Sequence, residues 1–308
     1  MFPHRRDRLI ETQEIREGLI DLLQLEECGI LPLIAERNSS LGKVYAPSQK
    51  MLYELKFFVQ IRDCHTQLQN KPSADPELLS LISQIYRIKK DNLAAEIWNG
   101  IYVSSEVEAN FSRGEPPLDR IDDGSAANML SNFTAIAQLS ELLIDQNQWA
   151  LPDKVNSIET LYEPLHRNRS GAKALKSILL LTHSMNEATQ IIETRLKKRA
   201  LCFNQKPSAK AQILKNVFYK FYIGEFQPYL AQSHRHAKNW IELNNLLFLN
   251  FEQAGLNVPK AMETYQLLVL SETAEGSLWF RYQSARKKHT QAWQKILKQC
   301  RMMPTNRD

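Results

Sequence analysis

The densest group of side chains able to bind or react is the run Arg37-Asn38-Ser39-Ser40-Leu41-Gly42-Lys43-Val44-Tyr45. Its cations, hydroxyls and closely spaced backbone N–H groups suit a carboxylate or a phosphate. The run is not a P-loop, which needs Gly where Arg37 stands and Ser or Thr where Val44 stands. Ser40-Leu41-Gly42-Lys43 does match the S-x-x-K of penicillin-recognising Ser–Lys enzymes, and Ser184-Met185-Asn186 supplies an S-x-N. The K-T-G partner is missing. Its nearest analogue, Arg169-Ser170-Gly171, precedes the S-x-N and lies at a helix start rather than on a strand. The same run also reads as a capping and turn network tying two helices together. Arg37, Asn38, Ser39, Ser40 and Lys43 are therefore ligand-binding candidates, and no catalytic residue is assigned.

Cys28 and Cys64 lie in the first quarter of the chain, Cys202 and Cys300 in the last third. Cys28 and Cys64 each fall near the end of a helical segment, where a bridge forms if the Cα atoms come within about 7 Å. Buried free thiols are the alternative. Zinc ligation is not expected without a C-x-x-C pair. A Cys28–Cys64 bond would close the loop carrying the polar run. A Cys202–Cys300 bond would join two cationic clusters, Lys197, Lys198 and Arg199 with Lys295, Lys298 and Arg301; the alternative is a solvated face with cations at helix ends. The aromatic set Phe218, Tyr219, Phe221, Tyr222, Phe226 and Tyr229 reads as core before groove. His234 and His236, two apart, point to different sides of a helix and make a poor metal pair. No metal and no cofactor is expected.

Helices must position these groups. Apolar residues recur at helical spacing in Ile15, Leu19, Leu22 and Leu23, with an end at Cys28-Gly29. A short turn through Leu33-Ile34 leads into the polar run, taken as non-helical. Pro47-Ser48 opens a helix with Met51, Leu52, Leu55, Phe58 and Val59 inward, ending near Asn70. Asp75-Pro76-Glu77 is an N-terminal signature for a segment reaching about Phe111, with a bend at Asn99-Gly100. The stretch from Gly114 to Gly124 reads as a mobile loop. Further helices follow from Ser125, Leu151 and Ser170. Pro164 should interrupt one, and Gly224 with Pro228 should kink or divide the segment that opens at Pro207. Period-2 alternation is not sustained anywhere. The expected fold is all-α, about nine to eleven helices with no β-sheet, in a single domain over 1–308, with sub-bundles at about 1–149 and 150–308.

Only 10 of 308 residues are Gly, which fits long helices with few turns. No apolar run approaches the ~18 residues of a membrane span, and the charged N-terminus has no signal-peptide h-region. The net charge of +5 conceals an asymmetry: residues 1–170 hold 18 Lys and Arg against 25 Asp and Glu, while 171–308 hold 21 against 9. A basic C-terminal half attracts an anionic partner or the chain's own acidic half.

With these residues in view, the chain resembles the domain of unknown function 3080 family, uncharacterised bacterial envelope lipoproteins. The stretches that carry the resemblance are Leu-Leu-Gln-Leu-Glu-Glu-Cys28-Gly-Ile, Arg37-Asn38-Ser39-Ser40-Leu41-Gly42-Lys43, Pro47-Ser48-Gln with Tyr53-Glu54, Gln227-Pro228-Tyr229-Leu230, and His289 with Trp293 and Cys300. The resemblance implies a lipoprotein signal upstream of this sequence and a periplasmic setting, which favours disulfides at Cys28, Cys64, Cys202 and Cys300. It transfers no activity. The expected function is a non-catalytic periplasmic binding or interaction domain, whose partner is an envelope protein or an anionic ligand. Membrane contact is expected only through the lipid anchor. One alternative is a cell-envelope hydrolase or a lipid- or cell-wall-modifying enzyme using the turn 37–45. A second is a cytosolic nucleic-acid-binding helical module, although no nucleic acid is the expected partner.

Overall fold

The structure is a computed structural model that describes residues 1–15, 25–146, 149–198, 201–202 and 204–304. It is 73% helical, and no strand or sheet occurs among the described residues, so the fold is all-α. Beyond Ile15, the first expected apolar face (Leu19, Leu22, Leu23) lies outside the described residues, as does Arg199. The chain forms two compact units. One comprises Met1–Ser112, Ala127–Arg169 and Leu243–Thr264; the other comprises Arg113–Ala126, Ser170–Glu242 and Tyr265–Asp308.

The first unit is built on α1 (Leu31–Asn38), α2 (Pro47–Gln69), α3 (Pro76–Tyr102), α4 (Ser105–Ala109), most of α5 (Ser125–Ala137) and α6 (Ile158–Asn168). Asp75 caps α3 by accepting from the Glu77 amide at 3.0 Å. The helix runs unbroken through Asn99 and Gly100. A Cβ there would stand 2.4 Å from Met51 Cβ, so this glycine lets α2 and α3 approach closely. The helix ends instead at Tyr102, and Ser104 caps α4 through the Val107 amide. Pro164 does not interrupt α6, which ends where Arg169 turns left-handed at φ 47°. Trp98 is fully buried, and Phe248 and Phe251 meet it edge-on.

The N-terminal segment is laced along α3. Asn99 accepts from the Ile10 amide at 3.0 Å and donates to the Ile10 carbonyl at 2.7 Å. Asn92, two turns earlier, grips Gln13 in the same way at 3.0 and 2.7 Å. Arg8, fully buried, donates to the Tyr102 carbonyl at 2.8 Å and to Glu108 at 2.6 Å. Residues 8–13 are thereby fixed, which places Thr12 and Gln13 beside α3.

The second unit packs α7 (Ser170–Lys197) on α11 (Leu278–Lys298), with α8 (Ala209–Val217), the start of α9 (Gln227–Gln253) and the last residue of α10 (Lys260–Tyr265). Gly224 and Pro228 do not divide the helix that contains them. The chain widens into π-helix over Phe218–Phe226 and runs on into α9. Widening absorbs the irregularity that a proline imposes on the carbonyls before it. Phe218, Tyr222 and Phe226 stack at 5.3 and 5.8 Å along this segment, against Trp293 and His289. The expected mobile loop is instead fastened. Ser177 accepts from the Leu118 amide, Tyr229 donates to the Leu118 carbonyl, Gln232 donates to the Asp119 carbonyl, and Arg235 and His236 meet Asp122.

Candidate functional site

The polar turn begins inside α1 rather than in a loop. Pro32 in the first helical turn sets the helix, and Arg37 and Asn38 close it. Ser39 leaves the helix in extended conformation; its hydroxyl donates to the Glu36 carbonyl at 2.7 Å and accepts from the Gly42 amide at 3.0 Å. Arg37 Nη1 donates to the Gly42 carbonyl, and its guanidinium lies 5.9 Å from the Tyr45 ring centre. Tyr45 donates to Glu36 Oε1 at 2.5 Å, and this bond to a carboxylate, with some burial, pushes the phenol up to about 12. Arg37 and Ser39 thus spend hydrogen bonds on neighbouring backbone.

Beneath this turn lies a cavity of about 550 Å³ in the first unit, within the roughly 300–1,000 Å³ usual for small-molecule sites. Arg37, Asn38 and Lys43 line it; Ser39 and Ser40 do not, and Ser40 is exposed. The S-x-x-K spacing therefore puts the lysine, itself exposed, on the cavity's lining and leaves the serine off it. From α2 come Lys50, Tyr53, Glu54 and Phe57, and from α3 Ile85, Lys89, Asn92 and Glu96. The laced N-terminal segment adds Thr12, Gln13, Glu14 and Ile15.

The charges in this cavity are mostly matched. Lys89 donates to Glu54 at 2.6 Å, with both side chains at most 14% exposed, and sits 4.7 Å from the Phe57 ring centre. Lys50 donates to Glu96 Oε1 at 2.9 Å, where Thr12 also donates at 2.8 Å. Glu96 Oε2 is buried and has no hydrogen-bond partner among the described residues. Arg37 and Lys43 have no carboxylate partner among the described residues, so the unmatched positive charge stands at the turn. Burial, with the Glu54 charge beside it, raises the Tyr53 phenol well above its usual range, so it lines the cavity as a neutral group.

Lys50, Glu54, Lys89 and Glu96 are absent from the sequence reading of the site. A signal for two of them was present. Glu54 falls among Met51, Leu55 and Phe58, and Glu96 beside Leu93 and Ile97, as charges on otherwise apolar helical faces.

Both cysteine pairs are within bonding distance, Cys28 with Cys64 and Cys202 with Cys300, at Cα separations of 5.3 and 5.4 Å. Cys28 and Cys64 belong to the apolar cluster that includes Leu25, Tyr53, Phe57 and Ile85, four residues that also line the cavity. Of the second bridge, Cys202 follows the first cationic cluster in sequence and Cys300 falls within the second. Lys197, Lys198, Lys295, Lys298 and Arg301 are exposed and form no ion pair among the described residues. No helix among the described residues is long and apolar enough to cross a membrane, and no group of metal-ligating side chains occurs among them.

A family model described as a protein of unknown function (DUF3080) matches residues 1–304. No curated protein and no solved structure matches the chain. The match extends over nearly the whole chain, the polar turn, the cavity walls and all four cysteines included, and the chain belongs to the DUF3080 family.

Proposed function

We propose that this chain is a non-catalytic binding protein of the periplasm whose first unit receives an anionic ligand in the cavity beneath the turn 37–45. One observation carries the reading: Arg37 and Lys43, without a carboxylate partner among the described residues, bring positive charge to a cavity whose other cations, Lys50 and Lys89, hold carboxylates. Two disulfides support an oxidising compartment, since bonds of this kind persist outside the cytosol. The resemblance to envelope lipoproteins supports the periplasm in particular and a lipid anchor as the means of attachment.

The test is an NMR titration of the oxidised protein with inorganic phosphate and with butanoate. The amide signals of Arg37 to Lys43 are expected to shift in a saturable way, and Lys43→Ala to raise the concentration needed for saturation. Lys298→Ala is expected to change nothing. Shifts confined to the neighbourhood of Lys298 would move the contact to the C-terminal cations and refute the cavity as the site.

A further inference from the structure

We propose that the ligand of this cavity is an amphiphilic anion, one carboxylate or phosphate group on an apolar body, and not a free inorganic ion. The proposal rests on the reading of the cavity as an anion site and adds the ligand's class.

The lining divides chemically. Ile15 and Ile34 are half-buried and keep apolar surface facing the cavity, while Leu25, Phe57 and Ile85 close its base from the unit's core. Water against such a wall is readily displaced by an apolar group. Ile34 precedes Arg37 by three residues on α1, and residues so spaced share a helical face with Cβ atoms about 5–6 Å apart. An apolar wall and an unmatched cation are therefore neighbours. A head group at Arg37 and Lys43 leaves the body of the same molecule against Ile34 and Ile15.

Other classes fit less well. A polyanion meets Glu14, Glu54 and Glu96 in the same lining, and among the described lining residues only Arg37 and Lys43 are cations without a carboxylate partner. A cationic ligand would compete with Lys50 and Lys89, which already occupy Glu96 and Glu54. A bare anion uses the turn and leaves the apolar wall wet.

The experiment is calorimetric titration of the full oxidised chain with butanoate, hexanoate, octanoate and octyl phosphate, alongside inorganic phosphate and octyltrimethylammonium. Affinity is expected to rise about threefold to fourfold for each methylene added to the carboxylate. Ile34→Gln or Ile15→Gln should flatten that gradient, weakening octanoate by a larger factor than butanoate. Lys43→Ala should weaken every chain length by a similar factor. Whichever of octanoate and octyl phosphate binds more tightly identifies the head group. Equal affinity for butanoate and octanoate would overturn the amphiphile and leave the anion site standing. Failure of every anion, phosphate included, would overturn the site itself. Binding of octyltrimethylammonium as tight as that of octanoate would show unspecific apolar adhesion and overturn the proposal.

Discussion

A Cβ added at Gly42 would stand 2.2 Å from the carbonyl oxygen of Glu36, so the turn that roofs the cavity closes only on glycine. Backbone, not a flexible side chain, fills that space, and the Arg37 carbonyl at 2.6 Å closes the other side. Gly42→Ala is expected to cost roughly 2–4 kcal/mol, the range reached when packing forbids a side chain outright. Gly124→Ala is the control. It has φ +80° and nothing within 4 Å, so only the left-handed conformation is penalised, at about 1–2 kcal/mol. Urea unfolding of both variants checks this. Equal losses would mean that the roof relaxes and the contact does not set the turn.

Much of the fold was legible because helical periodicity and caps are local. Asp75 caps α3, and Gly29 stands at φ +64° just past the turn Leu25–Cys28. The polar run was legible as a cluster, and three of its five named residues line the cavity. The opposite walls were not, because Lys50, Lys89 and Glu96 reach the cavity from helices whose placement depends on packing. Gly100 shows the limit. Sequence reads a helix-weakening residue there, and only Met51 lying against it shows why no other residue fits. The fastened loop has the same cause: Ser177, Tyr229 and Gln232 lie more than fifty residues from the backbone they hold.

The Lys89–Glu54 pair is largely shielded from water, so removing one member leaves an uncompensated charge. Lys89→Met is expected to destabilise by roughly 3–5 kcal/mol, and the double variant Lys89→Met with Glu54→Leu to recover most of that loss. A double-mutant cycle by chemical denaturation measures the coupling. Additive losses would show that the two groups do not act as a pair.

The two disulfides separate stability from binding. Their sequence separations are 36 and 98 residues, so on the chain-entropy account they contribute about 4 and about 5 kcal/mol. Replacing Cys28 and Cys64 by Ala is expected to lower stability and also to weaken butanoate binding, since their cluster supplies the base of the cavity. Replacing Cys202 and Cys300 should cost slightly more stability and leave binding unchanged. Weakened binding in both variants would indicate global loosening, and the cavity would not depend on its own bridge.

His289 gives the chain a stability that declines in mild acid. Its Nε2 accepts from the Trp293 indole at 3.1 Å, so the ring hydrogen sits on Nδ1, which faces Thr189 Oγ1 at 3.2 Å. His289 is 4% exposed, and burial lowers its pKa from 6.5 to about 4. The unfolded chain therefore takes up a proton near pH 6.5 that the folded chain refuses until about pH 4. Stability from this group is complete above about pH 6.5 and falls as pH drops, with a loss of roughly 3 kcal/mol by pH 4. Between about pH 6.5 and 5 most carboxylates remain ionised, so the slope there reports histidine. His289→Gln is expected to reduce that slope by close to one proton, while His234, also lowered to about 4 by burial and by Arg286, keeps its share. Thermal unfolding followed across that window decides the matter, because an unchanged slope in His289→Gln would assign the proton uptake to another group.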